Sequence, residues 1–231
     1  MPKDHGIGAS PKRREDVRFL TGNGNYTDDI NIRGQAYVHF LRSDVAHAKL
    51  VKVDTAAAAE MPGVVRIFTG ADFAEVGGLP CGWLVTDRFG QPMQEPRHPV
   101  LAHGKVRHVG DPIAAVVAET AEQARDAAEA IELELEELPA VVDMKAALAE
   151  GATKVHDDLT SNLCYDWGFV EENREAVDKA IKEAAHVTTL ELINNRLVAN
   201  PMEPRVAVGD YDRSSGDSTL YTPTFPKWPA A

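Results

Sequence analysis

Apolar residues alternate along the stretch from Gln35 to Arg42, where Ala36, Val38 and Phe40 are interleaved with Tyr37, His39 and Leu41; a side-chain repeat of two is that of a pleated strand. Both sets are largely apolar, which predicts a strand covered on two sides. Ser43, Asp44 and His47 mark a turn, and Leu50, Val51 and Val53 restart an extended run. Thr55 is placed to cap a short helix at Ala56 to Ala59. Pro62 and Gly63 end it, because proline disfavours helical geometry in the residue before it and glycine tolerates a left-handed exit. Val64 to Phe68 is the return strand.

Further on, the pattern changes period twice. Leu101, Val106 and Val109 lead to a turn at Gly110, Asp111 and Pro112, and Ile113 to Ala118 is an almost unbroken apolar strand of the kind buried on both faces. Thr120 opens a helix and, with Gln123 three residues later, spells a capping box; Ala124, Ala127, Ala128 and Ile131 follow at helical spacing. In IELELEEL the period returns to two, with Ile131, Leu133 and Leu135 facing in and Glu132, Glu134 and Glu136 facing water. This strand, helix and strand predict either a right-handed βαβ crossover or an α+β sandwich with helices on one face. Pro139 to Glu150 holds a short helix. Leu163 to Val170 reads as an extended aromatic segment, and Glu175 to Ala185 as a helix burying Ala176, Val177, Ala180, Ile181 and Ala184. Val187 to Ile193 reads as a strand, and Val206 to Val208 pairs with Ser218 to Tyr221 across Gly209 to Asp217.

Read in order, these strings resemble a known family. RFLTGNGNYTDDI, YVHFLRSDVAHAKLVKVD and MPGVVRIFTGADF, then GDPIAAVVAET, LPAVVD, VHDDLTSN and NPMEPRVAVGDYD, are similar to the start of the molybdenum-binding large subunit of the xanthine dehydrogenase, aldehyde oxidase and carbon monoxide dehydrogenase family, from about Gly6 to Thr224. The resemblance implies an α+β fold: a hammerhead-type α/β domain at 21–150, then an incomplete cofactor-binding domain at 163–231. An extended arm is expected at 1–20 and a linker at 151–162. It further implies a molybdenum-dependent oxidoreductase acting on an aldehyde, an N-heterocycle or carbon monoxide, with a molybdenum-pterin cofactor and iron–sulfur and flavin partners in the complete enzyme. A homodimer stays open. In the family pattern, the strand matching TLYTPT is followed by a glutamine that reaches the molybdenum centre; here Thr224 is followed by Phe225. The expectation is therefore a truncated subunit that is inactive alone and holds no cofactor itself. The alternative is a non-catalytic, stand-alone hammerhead module that scaffolds a partner chain.

Composition narrows the picture from another side. A formal charge of −12 argues against binding nucleic acid through its phosphates, which takes clustered Lys and Arg. No apolar run approaches the roughly 20 residues of a membrane helix. The two cysteines, Cys81 and Cys164, are too few for a disulfide framework and read as free thiols of a reducing compartment. The N-terminus lacks the apolar segment of a secretory signal, so the expected location is cytoplasmic.

Candidate chemistry is sparse, and no catalytic, cofactor-binding or metal-ligating residue is assigned. Asp28 and Asp29 are adjacent carboxylates, but neighbours in an extended chain point apart, so a hydrogen-bonded turn is the favoured reading. His103 and His108 would need two more ligands to make a zinc site. The glutamates of IELELEEL do not converge as calcium requires, and DYDRSSGD places Ser215 where an EF-hand needs glycine. Glu203 in NPMEPR invites an acid–base role, but one carboxylate without partners has no tuned pKa, and packing is favoured. Gly6 and Gly8 lack the strand, the third glycine and the helix of a dinucleotide fingerprint.

Overall fold

The computed structural model describes residues 6–7, 9–168, 173–195, 197–201 and 203–223. The start of the arm, the end of the aromatic segment at Val170, and the tail from Thr224 to Ala231 lie outside the described residues. The chain divides into two compact units, Gly34–Leu190 and Met1–Arg33 with Glu191–Ala231.

The first unit is built on two antiparallel three-stranded sheets. In one, β5 (Pro112–Ala118) lies between β1 (Tyr37–Arg42) and β3 (Val64–Thr69); in the other, β2 (Ala48–Asp54) lies between β4 (Lys105–Val106) and β6 (Glu132–Glu137). The alternating readings at 37–42 and 132–137 are thus strands. However, β5 and β6 belong to different sheets, so the helix between them makes no parallel crossover, and the α+β arrangement is the one formed. Pro112 opens β5, where its missing N–H costs no interior ladder bond, and the register of β1 against β5 shifts between Leu41 and Arg42, the residue opposite Pro112.

The helix α3 (Ala121–Glu129) covers one face of the first sheet. Its buried Ala124, Ala127 and Ala128 are small enough to seat it closely, and a core of Ala58, Ala114, Val116, Ala127, Ala128 and Ile131 forms there. The next residue along β5 from Ala114, Ile113, points the other way, into a second core with Ala48, Ala102 and Val106. Val53 and Leu133 pack against both. Fully burying a side chain such as Val116 contributes about 1.5–3 kcal/mol. The capping box is made: Thr120 Oγ1 accepts from the Gln123 amide at 3.2 Å, and Gln123 Oε1 accepts from the Thr120 amide at 3.1 Å.

Several expectations are corrected. The face of β1 carrying Val38 and Phe40 is open, at 54% and 42% exposure, since α3 covers only the other side. Thr55 makes no side-chain cap for α2 (Ala56–Ala59); the carboxylate of Asp54 takes that place, accepting from the Ala56 amide at 3.0 Å. The helix α4 (Arg174–Glu183) forms but buries nothing, with Val177 and Ile181 half exposed. The short helix expected between Pro139 and Glu150 is a single 3-10 turn at Ala146–Leu148.

The stretch 151–162 is fastened to the unit. Asn162 donates to the carbonyls of Ala147 and Thr153 and accepts from the Val155 amide, all at 2.9–3.0 Å. The Lys105 ammonium meets Asp157 at 2.6 Å.

In the second unit, the arm is not wholly extended, because Asp16–Leu20 is a helical turn, α1. The stretch from Val187 to Ile193, which runs from the first unit into the second, forms no strand. The hairpin of β7 (Val208–Tyr211) and β8 (Ser218–Tyr221) is formed. In its loop, Asp212 Oδ1 accepts from the amide and hydroxyl of Ser214 at 2.7 and 2.6 Å. Those donors hold the Asp212 carboxyl below the usual carboxylate range, the hydroxyl acting most strongly.

Candidate functional site

A long-range polar contact joins two of the sequence motifs in the second unit. After α1 the chain reverses: Thr21 Oγ1 donates to the Val17 carbonyl at 2.7 Å, the Asn23 amide to the Arg18 carbonyl at 2.9 Å, and the rings of Phe19 and Tyr26 stack at 5.9 Å. A 3-10 turn follows at Thr27–Asp29, in which Asp29 Oδ2 accepts from the Tyr26 amide at 2.8 Å. Thr27 is buried, and its amide donates to Glu203 Oε1 at 3.1 Å. Asp29 and Glu203 are therefore both engaged with backbone donors at one turn. No signal in the sequence couples the two motifs, since neither period nor spacing links residues this far apart.

His108 Nδ1 stands 3.7 Å from Asp111 Oδ2, and Asp111 is buried with that oxygen accepting from the Arg107 amide at 2.9 Å. Among the described residues, no group of three or more His, Cys, Asp or Glu is placed to hold a metal. His47 closes the expected turn, in the bend 44–47, and is buried there: its Nδ1 lies 2.9 Å from the Pro139 carbonyl, and its Nε2 has no partner among the described residues. Burial, with Arg107 next, pushes the His156 pKa below the ordinary histidine value. At the next residue, the hydrogen bond from Lys105 draws the Asp157 carboxyl down.

Both cysteines are free thiols. Cys164 Sγ donates to the Gln94 carbonyl at 2.9 Å, and the backbone beside it is paired in the same way, Gln94 amide to Cys164 carbonyl and Arg88 amide to Asp166 carbonyl. The aromatic segment thus runs along the glycine- and proline-rich connection 74–100, and the Arg88 guanidinium meets Asp166. That pairing too is silent in the sequence.

Glu203 and Asp29 are committed to amides, and the position after Thr224 lies outside the described residues.

Comparison with known proteins settles the class. The family model for the a/b hammerhead domain of aldehyde oxidase and xanthine dehydrogenase matches residues 21–139, and that for the molybdopterin cofactor-binding domain matches residues 155–227. The chain belongs to the aldehyde oxidase and xanthine dehydrogenase family. It is 34% identical over 218 residues to the nicotine 6-hydroxylase large subunit of Paenarthrobacter nicotinovorans, covering 94% of this chain and 26% of that protein. To the carbon monoxide dehydrogenase large chain of Afipia carboxidovorans it is 30% identical, covering 95% of this chain and 27% of the relative. Among solved structures, quinoline 2-oxidoreductase from Pseudomonas putida 86 superposes with a TM-score of 0.78 at 36% identity, over 97% of this chain and 27% of that one. The chain spans about a quarter of the length of the relatives it matches. No helix among the described residues is long and apolar enough to cross a membrane.

Proposed function

We propose that this chain supplies the hammerhead domain and the opening part of the cofactor-binding domain of a molybdenum hydroxylase large subunit, an oxidoreductase for an aldehyde, an N-heterocycle or carbon monoxide. The observation that carries this reading is the order of the two matches, hammerhead at 21–139 and cofactor-binding domain at 155–227, along nearly the whole chain. The molybdenum-pterin group would supply the redox chemistry when bound in the complete enzyme, and iron–sulfur and flavin subunits would carry the electrons away. The residues of this chain contribute support: the β1–β5–β3 sheet carries one core, and the Glu203 contact fixes the turn at Thr27. By itself the chain is inactive.

The test is to express the complete gene product that carries this sequence, with neighbouring iron–sulfur and flavin subunits, in a host that makes the molybdenum cofactor. One molybdenum per large subunit and dye reduction dependent on a heterocycle, aldehyde or carbon monoxide is the expected result. Absence of molybdenum, or of dye reduction with all three substrate classes, overturns it.

A further inference from the structure

The segment 154–158 meets β4 at Lys105, and the match to the cofactor-binding domain begins within it, at residue 155. It is curled on itself: Lys154 Nζ donates to the carbonyls of Asp157 and Leu159 at 3.1 and 2.9 Å, and the Leu159 amide donates to the His156 carbonyl at 3.3 Å. Its ion pair with β4, Lys105 to Asp157, has a carboxylate that is 71% exposed, and so open a pair contributes little to holding the segment down. His156, in the middle, is half-buried.

Charged and titratable groups reach His156 from three stretches of the chain. Arg107 follows β4; its Nε is buried with no partner among the described residues, and its Nη1 donates to the Lys105 carbonyl at 3.4 Å. This guanidinium opposes a positive charge on His156, and so does His98, whose carbonyl holds the Leu79 amide at 2.7 Å. Asp158 and Asp157 favour that charge. Asp157, however, is committed to Lys105, whose hydrogen bond holds it below the usual carboxylate range, so it stays ionised and paired in mild acid. Burial is the strongest influence on His156, and it too favours the neutral ring. A proton therefore costs more on the seated ring than on one turned out to water, and falling pH favours the ring that is out.

We propose that 154–158 is an acid-released clasp: neutral His156 seats beside Arg107 and His98 and holds the start of the cofactor-domain match on β4, and protonation lifts the segment into water while the hammerhead sheets stay folded. All of these groups lie in one compact unit, Gly34–Leu190. The device goes beyond the redox reading above and does not depend on it.

The test is amide hydrogen exchange on the 231-residue chain at pH 7.5 and 5.5, expressed as protection factors so that the intrinsic pH dependence of exchange cancels. The amides to follow are those of Val155 and Leu159, which donate to Asn162 Oδ1 and the His156 carbonyl. In the parent their protection should fall at least threefold at the lower pH, with 113–118 unchanged. His156→Gln should abolish the fall. Arg107→Gln should shrink it, and Asp158→Asn, a change at an exposed residue, should enlarge it; loss of a merely structural contact would not give effects of opposite sign. Equal protection at the two pH values in the parent overturns the proposal. So does a fall that persists in His156→Gln, or one that Asp158→Asn makes smaller. A fall shared equally by 113–118 overturns it as well, because the whole unit would then be opening. Should Arg107→Gln fail to fold, the other two variants still decide.

Discussion

The carboxylate of Glu203 accepts the amide of Thr27 at 3.1 Å, tying the motif TGNGNYTDDI to NPMEPR in one unit. Glu203→Ala leaves a buried donor unpaired, and a hydrogen bond to a charged group contributes about 1.5–3 kcal/mol. We expect the Thr27 amide to exchange faster by an amount within that range, and Glu203→Gln, which keeps an acceptor oxygen, to lose less than half as much. Site-resolved hydrogen exchange measures both. Equal rates in all three proteins would mean that the contact does not form.

Thr120→Ala removes the oxygen that accepts the Gln123 amide. Loss of an N-cap costs about 1 kcal/mol, which for a chain of this size lowers the melting midpoint by about 2–4 °C. Thermal melts followed by circular dichroism decide it, and an unchanged midpoint would show the cap to be idle.

Gly70 begins the 3-10 turn after β3, and a Cβ built there would lie 2.3 Å from the Ala102 carbonyl oxygen. Because the obstacle is backbone, it cannot swing aside. Gly70→Ala should destabilise the hammerhead by about 1–3 kcal/mol, as overpacking does, read from the urea midpoint. A midpoint within error of the parent would require the 101–103 segment to move freely.

His156 is held below the usual histidine pKa by burial and then by Arg107. The unfolded chain therefore takes up a proton first as pH falls through about 6.5, and stability present above that pH is lost below it. His156→Gln removes this loss. Melting midpoints of the two proteins at pH 7.5 and 5.5 should show the parent falling relative to the variant at the lower pH. A gap that is constant, or that opens the other way, rules out the depressed pKa.

Much of the hammerhead was legible because its signals are local. Thr120 and Gln123 sit three residues apart, and Leu133 and Leu135 alternate with glutamates, so helix and strand follow from neighbours alone. The open face of β1 was not legible, because Val38 and Phe40 are apolar whether or not this chain covers them; the same is true of Val177 and Ile181 on α4. Sheet membership of β5 and β6 was hidden for another reason, as partners such as Tyr37 for Ala118 and Asp54 for Glu132 are distant in sequence. The site was least legible of all. Glu203 carries no mark of Thr27, and Cys164 none of Gln94.

The antiparallel pairing of β1 with β5 and of β2 with β6 also sets a clock during synthesis. At about 5–20 residues per second, a ribosome that has finished β1 needs roughly 5 to 20 s more before β6 is complete. Meanwhile β1 and β3 wait with open edges until β5 is made, and β2 waits for β4 and β6. Slower translation across 74–100 would lengthen the time that those edges stay open.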